Sequence, residues 1–207
     1  MQSRIVSTLA VASLFVAVTA YAAAPTFSKI VDTGIAEFDD VFGRARDMQG
    51  TLKTSNENLA GARANVNTTL GVATDAPLAT ALTDLKTKAN GKIKLVMEGK
   101  RPKLEATEAV PENVQQGIDS VNKLSETSIA SSETADQLKP QSESLVEATK
   151  DFPPKVPTLV KNPLEVGKKT KQVKGNIKAV GELPGQVDGL RVEASGITTD
   201  IAGAFTE

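Results

Sequence analysis

Ser120-Val121-Asn122-Lys123 is the one stretch that spells a nucleophile next to an amine, a Ser-x-x-Lys pattern. In acyl-transfer sites that pattern works with an S-D-N and a K-T-G element, and neither occurs here. Four residues arise by chance easily, so Ser120 and Lys123 are expected to be ordinary helix positions. Other chemistry is limited by what the chain lacks. It contains no His, Cys or Trp, and its one Tyr is Tyr21. Without imidazole and thiolate, transition-metal sites lose their usual ligands, and Ser-His or Cys-His activation cannot be assembled. Asp32, Glu37, Asp39 and Asp40 cluster, but without the Asp-x-Asp-x-Asp-Gly spacing of a calcium loop. They read as the solvated face of a helix's first turns. Carboxylate pairs for sugar hydrolysis would need a pocket, and no Trp is present to line one. No Gly-rich phosphate loop occurs. The expectation is a non-enzymatic protein with no metal, cofactor, nucleic-acid or small-molecule site.

What remains is charge, and it is sorted by segment. Residues 84–103 hold seven basic side chains against Asp84 and Glu98, a balance of +5. Residues 105–147 hold nine acids against Lys123 and Lys139, a balance of −7. Residues 155–178 hold seven lysines against Glu165, a balance of +6. Two readings follow. The acidic segment can pair with its basic neighbours and so set the order of packing, each exposed pair contributing about 0.2–1 kcal/mol. Alternatively a lysine cluster, with Lys168, Lys169, Lys171 and Lys174 as the candidate contacts, touches an anionic surface such as lipid head groups. Globally, 24 basic residues less Arg4 leave 23 against 25 acidic, a net of −2, and no general attraction to nucleic acid follows.

The N-terminus reads as a secretory signal over residues 1–22. Arg4 gives the positive start, Ile5 to Thr19 is apolar, and Ala20-Tyr21-Ala22 is a small-x-small cleavage pattern. The competing reading is an uncleaved anchor, for which Ile5 to Ala24 is barely apolar enough. Lipid attachment needs a cysteine, and there is none. The mature chain, 23–207, is therefore expected in a periplasm or outside the cell, where it must be stable without disulfides. In a eukaryotic host Asn67-Thr68-Thr69 would be a glycosylation acceptor.

The elements that must carry these charges follow from steps of three and four between apolar residues. Ile35, Phe38, Phe42, Ala45, Leu52, Leu59, Val66 and Leu70 share one register, which Gln49, Asn56 and Arg63 also occupy. Leu78, Leu82, Leu85, Ala89 and Val96 form a second, ending near Gly99. Pro111-Glu112 opens a third, whose middle is built of Ser128, Ser131, Ala135 and Ser142 and which contains Pro140. Pro153-Pro154-Lys155-Val156-Pro157 reads as an extended, stiff spacer. Asn162-Pro163-Leu164-Glu165 starts a last helix carrying Val173, Ile177, Val180, Val187, Leu190, Ala194, Ile197 and Ile201. Within it Gly181, Gly185, Gly189, Gly196 and Gly203 permit either close packing or bending. Strand signals are nearly absent.

The expected fold is all-α: an elongated antiparallel four-helix coiled-coil-like bundle with long helices near 28–70, 76–97, 111–150 and 163–205, kinked at Pro140 and at Leu183-Pro184-Gly185, and a Pro-rich linker at 151–162. The pattern resembles coiled-coil proteins at large, a compositional likeness that transfers nothing to named residues. Polar positions in the seams raise the expectation of a protein partner or of self-association. The function expected is that of an envelope interaction or scaffold protein. The alternatives are a lipid-surface binder whose amphipathic helices open onto membrane, or a periplasmic chaperone or regulator.

Overall fold

A computed structural model describes residues 26–206. The signal-peptide expectation for 1–22 lies outside the described residues. The elements run α1 (Ala36–Leu70), α2 (Leu78–Ala89), β1 (Ile93–Glu98), β2 (Arg101–Ala106), α3 (Glu112–Thr149), α4 (Phe152–Leu159) and α5 (Pro163–Phe205). The chain is predominantly helical, as expected, but three long helices and two short ones replace the four long ones, and a hairpin interrupts them.

α1, α3 and α5 form the body of the molecule, roughly 50–65 Å long at 1.5 Å per residue. Their seams are the expected registers: Phe38, Phe42, Ala45, Leu52, Leu59, Val66 and Leu70 are buried on α1, and Val173, Val180, Val187, Leu190, Ala194, Ile197 and Ile201 on α5. On α3 the buried line is Val114, Val121, Leu124, Ser128, Ser131, Ala135, Ser142, Leu145 and Thr149. Ser128 and Ser142 satisfy their hydroxyls on the carbonyls of Leu124 and Lys139, 2.8 and 2.7 Å away. Neighbours run antiparallel. α3 and α5 exchange Lys139–Asp188 (2.5 Å) and Asp136–Arg191 (3.2 Å), so numbers rise on one as they fall on the other. α3 and α5 each remain one helix across Pro140 and Pro184, although each ring removes an internal hydrogen bond.

One end of the bundle is closed by α2 and the hairpin. Leu70 at the end of α1 and Leu85 on α2 press on Gly117 of α3; a Cβ there would lie 2.7 and 2.8 Å from their methyls. The second helix expected to reach residue 97 stops at Ala89, because Asn90 and Gly91 turn left-handed (φ 48° and 77°). The Asn-Gly pair is a strong turn signal, and Val96, assigned to the helical register, belongs to β1. Gly99 (φ 65°) opens the two-residue loop between β1 and β2, a place where glycine is nearly obligatory.

β1 and β2 pair antiparallel from Ile93↔Ala106 to Glu98↔Arg101. Ile93 and Leu95 on β1 and Pro102 and Leu104 on β2 face the body, while Lys94, Val96, Arg101, Lys103 and Glu105 face outward. The outer edge of β2 is finished by α3 rather than by a third strand. Leu104 donates its N–H to Asn122 Oδ1 (2.7 Å), and Asn122 Nδ2 donates to the Leu104 carbonyl (2.9 Å). Ser125 Oγ donates to the Pro102 carbonyl at 2.6 Å. Pro102 shares the edge orientation of Leu104, so its missing N–H removes no ladder bond.

At the other end sits α4, where a stiff extended spacer was expected. Proline's fixed φ suits either conformation, and Pro153 and Pro154 occupy the first turn, where helix N–H groups have no internal partner anyway. Burial decides: Phe152 and Val156, four apart, both enter the core. Phe152 stacks on Phe38 at 4.1 Å and meets Phe42 edge-on at 5.6 Å.

Residues 26–35 form an extended strap in the groove between α1 and α5, although 28–35 were expected as the first turns of the first helix. Asn176 Oδ1 accepts from Val31 N–H (3.0 Å) and its amide donates to the Val31 carbonyl. Gln49 Nε2 of α1 donates to the Ser28 carbonyl at 3.0 Å. Ile30 and Ile35 fill the groove.

Candidate functional site

The acidic cluster of the first turns is dispersed among structural duties. Asp39 accepts from Thr33 N–H (2.7 Å), the Thr33 hydroxyl (2.8 Å) and Gly34 N–H (2.8 Å), tying strap to helix. Asp32 pairs with Arg46 at 2.5 Å, Asp40 with Arg44 at 3.4 Å and Glu37 with Lys155 at 3.0 Å. Among the described residues no group of three His, Cys, Asp or Glu side chains could hold a metal ion. Ser120 and Lys123 line one open depression between α1 and α3, but each side chain is engaged elsewhere. Ser120 is buried with its hydroxyl on the Gly117 carbonyl (2.9 Å), and Lys123 reaches outward to Glu126 at 3.5 Å.

Asn67 cannot serve as a glycan acceptor in the folded chain. It is fully buried, and its amide nitrogen donates to the carbonyls of Thr74 (3.1 Å) and Ala76 (2.9 Å), holding the turn after α1. The glycine series of α5 does not mark a close helix contact. A Cβ at Gly181, Gly185, Gly189, Gly196 or Gly203 would meet nothing within 4 Å. Polar seam residues of α1 are answered within the chain. Gln49 holds the strap, and Arg63 lies close enough to Glu193 of α5 for its charge to lower that carboxyl's pKa. Burial nevertheless pushes Glu193 above the usual carboxylate range.

A groove of about 530 Å3 runs between α1 and α3 beside Pro140, lined by Arg44, Asp47, Met48, Leu138 and Leu145 among others. It is an open furrow, and Arg44 in it already pairs with Asp40.

The two basic segments end differently. In the first, the outer face of the hairpin is an ionic ladder: Lys94–Glu105 (3.1 Å), Lys103–Glu105 (3.4 Å), Lys103–Glu98 (2.8 Å), and Arg101 to Glu98 and to Glu126 of α3 (3.0 Å for the latter). Lys88 pairs with Asp84 (2.7 Å) and Lys92 with Glu108 (3.5 Å). Hydrogen bonding from Lys103, reinforced by Arg101, holds the Glu98 carboxyl below its usual range, and Lys94 then Lys103 do the same to Glu105. Lys103 is held above the usual lysine value by Glu98 and Glu105 in return.

In the second, Lys168, Lys169, Lys171 and Lys174 all lie on the first three turns of α5, and none makes an ion pair among the described residues. Nor do Lys161 and Lys178. The expected pairing of these lysines with the acidic α3 does not form: the α3–α5 ion pairs lie further along, at Asp188 and Arg191. Lys168, Lys171 and Lys174 are exposed. Lys169 turns inward, its Nζ 3.1 Å from where a Gly34 side chain would begin, and covers the turn of the strap. It drops out of the candidate surface. Sequence reading missed the neighbours Leu159 and Leu164, which are 41% and 92% exposed at the corner between α4 and α5. The signal for Leu164 was available, since it falls off the buried register of α5.

Comparison with protein-family models, curated proteins and solved structures finds no match. Among the described residues no helix is long and apolar enough to cross a membrane.

Proposed function

We propose that this chain is an exported, non-enzymatic interaction protein of the cell envelope that acts through its surface. One observation carries the reading. The amides of Asn67, Asn122 and Asn176 are spent on main chain within the fold, whereas the lysines opening α5 are left without acidic partners among the described residues. Lysines three and four residues apart on one helix repel each other, so stability does not account for the cluster. A partner of opposite charge does. The export half rests on Arg4, the apolar run Ile5 to Thr19 and Ala20-Tyr21-Ala22.

Fractionation of the producing cell, with mass determination of the isolated chain, tests this. The expected result is an envelope or extracellular protein beginning at Ala23. A chain retained in the cytoplasm with residues 1–22 attached overturns the reading.

A further inference from the structure

The corner where α4 meets α5 is the most exposed apolar point of the described molecule. Leu164 is 92% exposed, more than any other large apolar side chain described, and Leu159, five residues before it, is 41% exposed. Pro157 and Pro163 are exposed beside them. Along α5 the stripe continues as Leu164, Lys168, Lys171 and Lys178, at steps of four, three and seven, which places them on one outward face. Between residues 152 and 181 the only acid is Glu165. A leucine point thus heads a lysine stripe.

The corner is also held rigidly. Phe152 and Val156 anchor α4 in the core beneath it, and Asn162 Oδ1 accepts the Leu164 N–H at 3.1 Å to start α5. Nothing inside the fold uses Leu164, and water is an unfavourable place for it. Its shape selects among partners. The leucines lie exposed where α4 gives way to α5, with no Trp or Arg in the stripe to make the pocket-filling, fork-shaped contacts that dominate protein interfaces. A flat anionic bilayer accepts both features together: leucine enters the interface and flexible lysine stems reach head-group phosphates.

Resting on the surface-acting reading above, we infer that the α4–α5 corner docks the folded protein on an anionic lipid surface, through Leu159, Leu164, Lys161, Lys168 and Lys171. Docking needs no opening of the bundle, because the apolar seams stay buried. This differs from helices that unpack to lie on membrane, and it leaves the hairpin's ionic ladder untouched.

Vesicle flotation tests it, with the full chain on phosphatidylcholine vesicles with and without roughly one-third phosphatidylglycerol. Insertion of the apolar N-terminal run, with Arg4, carries its own preference for anionic vesicles, so the measured quantity is the part of the gain on anionic vesicles that depends on the α5 lysines. The expected gain is about tenfold or more at low salt and is lost near 0.5 M salt, where the Debye length falls to about 4 Å. K168E/K171E removes it, whereas K53E/K100E, the same change of net charge elsewhere, keeps it. Leu164→Ser, exposed already and so harmless to folding, reduces it about threefold to tenfold. No gain on anionic vesicles, or an equal loss from both double variants, overturns the proposal while leaving the localisation result intact. A gain indifferent to Leu164→Ser and fully competed by soluble poly-glutamate replaces lipid by an acidic protein as the partner.

Discussion

The hairpin and the opening turns of α5 are both lysine-rich, yet one neutralises its charge and the other does not. In a strand pair, alternate residues share a face and lie directly across from one another. Lys94 meets Glu105, and Lys103 sits between Glu98 and Glu105. On α5 the outward stripe has only lysines at its three-and-four spacing, and the acids of α3 lie on other faces or further along. Position relative to neighbours, rather than composition, decides whether a basic segment becomes internal glue or an outward surface.

The sharpest way to break this contrast is to unmoor the lysine end. Phe152→Ala removes the ring between Phe38 and Phe42 and is expected to destabilise by about 3–5 kcal/mol in chemical denaturation. Were residues 151–162 a mere spacer, the change would be nearly silent. Next, one substitution should have opposite signs at the two regions. Gly117→Ala forces a methyl against Leu70 and Leu85 beside the hairpin, a loss of about 1–3 kcal/mol. Gly175→Ala meets nothing within 4 Å and should stabilise by up to about 1 kcal/mol. Equal effects would show that both ends are packed alike.

Smaller effects sharpen the electrostatic side. Lys103→Gln breaks two rungs and should lower the thermal midpoint slightly, while Lys171→Gln, which relieves repulsion from Lys168 and Lys174, should leave it unchanged or raise it. The smallest effect is that of pH. Glu98 and Glu105 have native pKa values below their unfolded ones. Their contribution is therefore present above the ordinary carboxylate pKa and disappears as pH falls through the lowered native values. The deficit of Glu98→Gln/Glu105→Gln, read as a midpoint difference from the parent chain, should accordingly vanish on acidification. Glu193 behaves oppositely: its raised native pKa is a penalty at neutral pH that is relieved as pH falls, so Glu193→Gln should help at neutral pH and do nothing in acid.

Much of the helical body was legible in the residues. The seams of α1, α3 and α5, the start of α3 at Pro111-Glu112 and the cap at Asn162 all follow from local spacing, because a helix's hydrogen bonds and exposed faces are set within four residues. The lysine cluster was legible as a candidate for the same reason, and so was the alternation of residues 93–106, overlooked beneath a helical register that Val96 happened to fit.

Which lysines stay unpaired could be decided only by tertiary structure, since pairing depends on what α3 and the strap present across space. So did the roles of Asn67, Asn122 and Asn176. Each amide replaces a missing main-chain partner for a distant or looping segment, at separations of 7 and 9 residues for Asn67, 18 for Asn122 and 145 for Asn176. The amino-acid order determined a helical, imidazole-free and thiol-free chain with sorted charge, because period and composition are local properties. Packing decided that Pro153 to Pro157 coil into a helix and that one basic segment faces outward, because burial of Phe152 and Val156 and the placement of acids are properties of the assembled whole.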